Sequence, residues 1–464
     1  MKMPVDTVSG DGGKGRRTTG GLTRRVTRLL ADRNLADMAG AFAIKTGMVA
    51  VNFALITLAA RVLGPTRFGI YSMVFSAVGL VAVVATFGQQ IFLLRAWNEH
   101  VATDDGPGLK ASLTFSATLV LAGCVLAFPA LGGTLYVAHG TSLALAASTY
   151  LVIFVLLQAV NHLVRTAIGM IAGDGLANFA MFVPAVVYLA FVLVTGGGCD
   201  IADIFMLLAL GAGAALVTQV AMAAYRIRRQ FPAGAQIRSH TFRRSWIHRS
   251  LKLWFSTSLE AVNQFLDVLM IGLLLSPSLA GAYFVTTRIA NIFLAAADSA
   301  NIMTTRRIPD LFFHRRFGEL ARLLDVVAGV TLAVIVVGLV AIAIGGSWLL
   351  VLIDPDTARF YPWLLVLCLG TAALAAAGPS APLLMITGNE GRYLAVIGAG
   401  VALRIAGFVV LTPLFGLAGA AVATTVSYVA IMLLLRAAAI GRTALDPTPL
   451  RVFAKHRRAQ GDTA

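Results

Sequence analysis

Among the polar and charged side chains that this chain sets inside or beside apolar runs, nine are candidates for a site: Lys45, Asn52, Asn263, Gln264, Asp267, Arg288, Asn291, Asp298 and Arg404. An ionisable group in hydrocarbon is costly unless it meets a partner or a water-filled cavity, so such residues mark either internal pairs or a pathway. Their spacing sorts them into faces. Lys45 and Asn52 are seven positions apart and share one side of a helix. Ser256, Glu260, Asn263 or Gln264, and Asp267 draw a polar stripe at helical period, and Arg288, Asn291 and Asp298 draw another. Gln158, Asn161 or His162, and Arg165 give a further stripe. One reading is a set of ion pairs that brace a bundle, which fits Arg165 and Glu260 near span ends. The other is a hydrated lumen, favoured because three of the stripes fall in helices that also carry an internal repeat. A lumen with this cationic lean suits an anionic passenger. Lys45, Arg288 and Arg404 are then the phosphate-binding candidates, with carboxylates setting the field or carrying protons.

Catalytic chemistry finds no comparable constellation. Gly10-Asp11-Gly12-Gly13-Lys14-Gly15 has the glycines of a phosphate loop but lacks its first Gly at the right spacing, a Ser or Thr after Lys14, and a preceding strand. No His-Glu-x-x-His motif or nucleophile elbow occurs, and the 7 His are scattered. Cys124, Cys199 and Cys368 sit in or beside apolar runs without metal-ligand spacing and read as small buried side chains. Neither an enzyme nor a cofactor is expected. Lys and Arg total 37 against 21 Asp and Glu, yet the basic residues gather in tails and alternate loops beside apolar spans. That distribution fits anionic membrane lipid rather than nucleic acid.

The elements that carry these residues are transmembrane helices. The chain is 58% hydrophobic and only 12% charged, about half the charge of a soluble domain. Apolar stretches of helical length recur at 38–63, 68–94, 111–131, 142–164, 177–196, 201–225, 251–275, 279–303, 326–350, 362–386, 393–413 and 416–436. Pro184 interrupts the fifth of these twelve, and Pro379 and Pro382 in the tenth need their freed carbonyls satisfied by neighbours or water. With the N-terminus inside, all loop Lys and Arg except Arg61, Arg67 and Arg359 fall on the cytoplasmic side. Both termini are expected there. The polar, basic stretch before the first span does not read as a cleavable signal peptide. The expected organisation is a basic cytoplasmic tail over 1–37, a six-helix lobe over 38–225, a basic linker over 226–250, a second six-helix lobe over 251–436 and a basic tail over 437–464. Leu22, Val26, Leu29 and Leu30 share a face opposite Arg24, Arg25 and Arg28, the pattern of an amphipathic helix on the inner leaflet. A disordered basic tail fits the same residues.

The two halves repeat. Phe53 and Phe265, Pro65 and Pro277, Gly69 and Gly281, and Tyr71 and Tyr283 are all 212 positions apart (65 to 277). Met170-Ile171-Ala172-Gly173-Asp174 is echoed by Met385-Ile386-Thr387-Gly388-Asn389. Six helices per half make the repeats parallel, related by an axis along the membrane normal.

The run Ala60-Arg61-Val62-Leu63-Gly64-Pro65 followed by Phe68-Gly69-Ile70-Tyr71, together with the segment from Asp267 to Tyr283, resembles the bacterial polysaccharide and O-antigen flippases. These belong to the multidrug, oligosaccharidyl-lipid and polysaccharide exporter superfamily. The resemblance implies an all-α, MATE-like, V-shaped bundle of about 12 helices in two pseudo-symmetric lobes, set in the bacterial inner membrane. It implies flipping of undecaprenyl-diphosphate-linked oligosaccharide for O-antigen, capsule or exopolysaccharide assembly, by alternating access driven by a proton or sodium gradient. A polysaccharide polymerase is the implied downstream partner. No precise substrate contact is carried over. The competing readings are a cation-coupled multidrug exporter, whose cavity would be acidic, a peptidoglycan-precursor flippase, which usually has two further helices, and a non-transporting scaffold of a glycan-synthesis complex.

Overall fold

A computed structural model describes residues 33–169, 171–231, 244–291, 311–443 and 445–451, together with 294 and 308. Among the described residues every regular element is a helix. In chain order these are α1 (Arg33–Ala85), α2 (Gln89–Ala102), α3 (Gly106–His139), α4 (Thr141–Ala167), α5 (Leu176–Thr195), α6 (Ile201–Gln230), α7 (Arg244–Leu274), α8 (Pro277–Ala290), α9 (Phe317–Ile353), α10 (Tyr361–Ala375), α11 (Ser380–Ile386), α12 (Glu390–Phe415) and α13 (Leu417–Thr443). A π-helical turn, Ile171–Gly175, leads into α5.

Local chemistry sets the breaks. Gly64 adopts φ 73, ψ 170, which a side chain would oppose, and with Pro65 it divides α1 into two arms. The Asp105 carboxylate accepts the Gly108 N–H at 2.9 Å to start α3. The Ser276 hydroxyl accepts the Leu279 N–H at 3.3 Å, with Pro277 in the first turn, to start α8. Among the described residues ten helices are long and apolar enough to cross a membrane. One of them, Thr46–Ala85, holds both arms of α1, and the 14-residue α8 covers the described part of the expected eighth span.

Two expected spans are broken. The second, 68–94, stops at Ala85 and resumes as α2, because Phe87 (φ 49) and Gly88 (φ 70) turn the chain against Trp254 of α7. The tenth, 362–386, ends at Ala375 and resumes as α11 after Gly378 (φ 57); there the Ser380 hydroxyl donates to the Ala377 carbonyl. Pro184 leaves α5 continuous.

α1 lies at the centre. It packs on α3, α4 and α5 of its own half and on α7 and α8 of the other. The repeat is visible in this junction: a Cβ on Gly281 would stand 3.0 Å from the Gly69 Cα, and one on Gly69 would overlap the Pro277 carbonyl. Small residues let the two backbones touch, as in other membrane helix pairs. Tyr71 and Tyr283 are both buried beside this contact. Outward, large apolar side chains such as Val137, Val194, Leu273, Ile344 and Trp348 are exposed, as befits a surface solvated by lipid rather than water.

α7 belongs to both halves. Near its start Ser250 accepts from Gln89 Nε2 at 3.0 Å, Arg249 pairs with Glu99 at 3.0 Å, and the Trp254 indole donates to the Val84 carbonyl at 2.8 Å. Further along it packs on α12.

Candidate functional site

The first arm of α1 carries Asn52 and α8 carries Arg288, and the fold brings them to one cavity of ≈ 250 Å³. α4 contributes Gln158 and Asn161 to its wall, and α5 contributes Asn178. Phe75, Tyr150, Phe154, Phe182 and Phe265 supply aromatic surface. Gly79 makes room for the Phe265 ring, whose Cζ would lie 2.6 Å from a Cβ at that position. Apolar and aromatic walls with a few converging polar groups are the usual make-up of a ligand site. Among the described residues no carboxylate lines this cavity.

Arg288 is its only lining cation among the described residues. Its guanidinium lies 4.8 Å over the Phe284 ring. Among the described residues no carboxylate pairs with it and no acceptor takes its N–H groups. A half-buried cation is normally paired, and among the described residues this one meets only an aromatic face and cannot shed its charge.

Two of the wall amides are held from behind by the π-helical turn. Asn161 Nδ2 donates to Asp174 Oδ1 at 3.0 Å, and Asn178 Nδ2 donates to the Asp174 carbonyl at 2.7 Å. Arg165 Nη1 lies 3.4 Å from Asp174 Oδ2. Gln219, buried in α6, donates through Nε2 to the Gly173 carbonyl at 2.8 Å and to Asn161 Oδ1 at 3.3 Å. π turns interrupt regular helices most often at working sites.

Asp267 and Arg404 belong elsewhere. Rather than lining the cavity they pair with each other, Arg404 Nη1 to Asp267 Oδ1 at 3.4 Å, with Arg404 1% and Asp267 6% exposed. Arg404 also donates to the Asn263 carbonyl at 2.8 Å and stacks 4.3 Å over the Tyr428 ring. Asp267 Oδ2 accepts from Thr424 at 2.9 Å and from Tyr283 at 3.5 Å. This is the bracing arrangement, and it leaves Arg288 as the cation at the cavity among the described residues. Asn263 enters through its backbone carbonyl while its side-chain Oδ1 is buried without a partner. Gln264 is exposed on α7, between the flank that meets α1 through Phe265 and the flank that meets α12. Glu260 accepts from Tyr393 of α12 at 3.2 Å. Asn291 caps the end of α8 through its backbone N–H and does not line the cavity. The Lys45 side chain and all of Asp298 lie outside the described residues, as does the N-terminal amphipathic segment. Among the described residues no group of His, Cys, Asp or Glu could hold a metal ion.

Asn178 and the aromatic wall are absent from the sequence reading. Asn178 had one signal, its place four residues beyond Asp174 in the repeated Met-x-x-Gly motif. Of the aromatics only Phe265 had one, as the repeat partner of Phe53; Phe and Tyr in an apolar span otherwise read as packing.

The fold is that of membrane transporters. An inward-facing multidrug resistance MATE family transporter of the MOP superfamily superposes with TM-score 0.65 at 13% identity, covering 86% of this chain and 97% of that one. A MATE in the bent conformation gives 0.59 at 14% identity over 88% and 95% of the two chains. An outward-facing MATE family transporter gives 0.59 at 14% over 88% and 94%. In sequence, residues 38–309 match the family described as polysaccharide biosynthesis protein. The chain belongs to that family. No curated protein matches its sequence. The chain thus combines the fold of MATE transporters and many apolar helices with a family of polysaccharide biosynthesis.

Proposed function

We propose that this protein moves undecaprenyl-diphosphate-linked oligosaccharide, or a related polysaccharide precursor, from the cytoplasmic to the outer leaflet of a bacterial inner membrane. It does so by alternating access, with two lobes, 38–225 and 251–436, rocking about the cavity. Both termini are cytoplasmic, and a proton or sodium gradient supplies the drive. The observation that carries this reading is Arg288, a guanidinium with no carboxylate partner among the described residues, in a cavity whose other described lining is neutral amides, apolar side chains and aromatic rings. A guanidinium fork matches phosphate oxygens, and amides donate to and accept from hydroxyls. Among the described residues a cationic drug would find no carboxylate on that wall, which counts against the multidrug alternative.

Arg288→Gln keeps the size and polarity of the side chain but removes the charge. It is expected to lower surface polysaccharide at least about tenfold, the worth of one charge-assisted contact, while the protein remains in the membrane and lipid-linked glycan accumulates inside. Wild-type surface glycan in a strain carrying only the Gln variant overturns the proposal.

A further inference from the structure

The repeated Met-x-x-Gly motif is not symmetric in its chemistry. In the second half Asn389 turns back on its own segment, donating to the Thr387 carbonyl at 3.1 Å and to its hydroxyl at 3.0 Å. In the first half the matching residue is Asp174, and it reaches out to α4 and α5. We propose that Asp174 is a positioning residue for the cavity: through its carboxylate and its carbonyl it fixes the amides of Asn161 and Asn178, so that the wall opposite Arg288 reads hydroxyl groups of the passenger. This rests on the transport reading above.

The hydrogen bonds dictate which way each amide faces. Asn178 spends one N–H on the Asp174 carbonyl, and among the described residues its Oδ1 has no donor, so an acceptor is left for the cavity beside the second N–H. Asn161 is engaged at both ends, Nδ2 on Asp174 and Oδ1 under Gln219 Nε2, so its plane cannot flip. Gln219 is fully buried and pins the turn itself through the Gly173 carbonyl. At Gly173 a Cβ would stand 2.9 Å from the Arg165 Cβ, so the turn is seated directly on α4. A fixed acceptor cannot bind phosphate oxygen but can accept from a sugar hydroxyl, and a site whose polar groups would go unpaired rejects a ligand lacking that hydroxyl. The cavity is thereby divided: Arg288 meets the anion, and the turn-held amides meet the sugar. The Asp174 carboxylate holds Asn161 directly and, through Arg165, seats the turn whose carbonyl holds Asn178, so losing it loosens both amides and removes discrimination without touching the anion contact.

The test uses the full-length protein in nanodiscs and two kinds of probe, undecaprenyl diphosphate and its monoglycosylated forms carrying glucose, galactose or N-acetylglucosamine, with binding followed by tryptophan fluorescence. Wild type is expected to bind its best glycosylated probe at least about tenfold more tightly than the bare diphosphate. Asp174→Ala reduces that advantage to below about threefold while binding of the bare diphosphate stays within about twofold. Asp174→Asn, which can still accept from Asn161, restores most of it. If the Ala variant is not recovered folded, Gln219→Leu loosens the same turn from behind and carries the same expectation. Equal weakening of both probes by Asp174→Ala makes the turn merely structural and overturns the proposal, as does an unchanged advantage or a wild type with no advantage to lose. Arg288→Gln serves as the separate arm: it weakens both probes, and if it weakens neither, the transport reading fails whatever the Asp174 result.

Discussion

Replacing Asp267 by Leu leaves the Arg404 guanidinium buried without its carboxylate, and replacing Arg404 by Leu leaves the carboxylate without its cation. The two losses are not equal. A guanidinium cannot give up its proton, whereas a carboxylate can take one up and become neutral, and Asp267 would keep its Thr424 and Tyr283 donors. Arg404 is 1% exposed and already has its Nε without a partner. Breaking a buried pair by removing one member costs about 3–5 kcal/mol. Asp267→Leu is expected at the top of that range and Arg404→Leu at or below its bottom. The double variant Asp267→Leu/Arg404→Leu should recover most of the loss, because an apolar pair of similar volume is often neutral or better. The first half supplies the precedent. At the offset of 212, Asp267 corresponds to Leu55, and at the Gly173-to-Gly388 offset of 215, Arg404 corresponds to Leu189. Both of these leucines are buried at 1% and 0% exposure. The assay is thermal unfolding in detergent followed by fluorescence size-exclusion chromatography, read as a double-mutant cycle. Additive losses in the double variant, or a costlier Arg404→Leu than Asp267→Leu, would refute the reasoning.

The junction between the halves and the C-terminal end give further tests. Gly69→Val puts a branched side chain where even a Cβ overlaps the Pro277 carbonyl, so folded yield should collapse, whereas Gly391→Val, with nothing within 4 Å, should change unfolding temperature little. Equal yields of the two variants would contradict the close approach at Gly69. Asp446, beyond the last span, lies in a half-buried site that would raise its pKa, but two hydrogen bonds from Arg436, the shorter 2.7 Å, and two from Thr448 outweigh burial and hold it low. A carboxyl whose folded pKa is depressed adds stability that is present above its unfolded value of about 3.9 and is lost as pH falls below it. Asp446→Asn should therefore unfold earlier than wild type at pH 7, with the gap closing below about pH 4. A gap independent of pH would assign the effect to packing.

How much of this was legible in the sequence follows from what each signal measures. Hydropathy and the placement of Lys and Arg count spans, because the bilayer imposes length and charge on every segment independently. They do not report where backbone turns inside a span, so the breaks at Phe87-Gly88 and Gly378 had to be seen. Periodicity says which residues share a face of one helix, but not what that face meets. Asp267 and Arg404 read as polar residues on α7 and α12, and their encounter is a contact over 137 positions that neither stripe encodes. Arg288 and Asn52 have equally polar surroundings in the sequence, yet the first arm of α1 and α8 bring them to the same cavity. The difference between brace and cavity therefore lies in helix adjacency.

The repeat explains why the chemistry falls where it does. The duplicated positions that remain alike, Gly69 with Gly281 and Tyr71 with Tyr283, are those the halves use to pack against each other at the centre. The positions that diverge are the ones with functional groups. Arg288 stands opposite Ser76, Asp174 opposite Asn389, and the Asp267–Arg404 pair opposite two leucines. The second half thus contributes the cation, and the first half contributes the amides and the turn that aims them. A site assembled across the junction also changes shape whenever the halves tilt, so that closing one face alters the grip on the passenger without any added device. Rigid-body rocking of lobes that share such a site is how repeat-built transporters couple binding to access. If the proposed rocking occurs here, tethering α1 to α8 by a disulfide across the cavity should stop glycan export while leaving the family fold intact. Export undiminished by that tether would show that the two halves need not move apart.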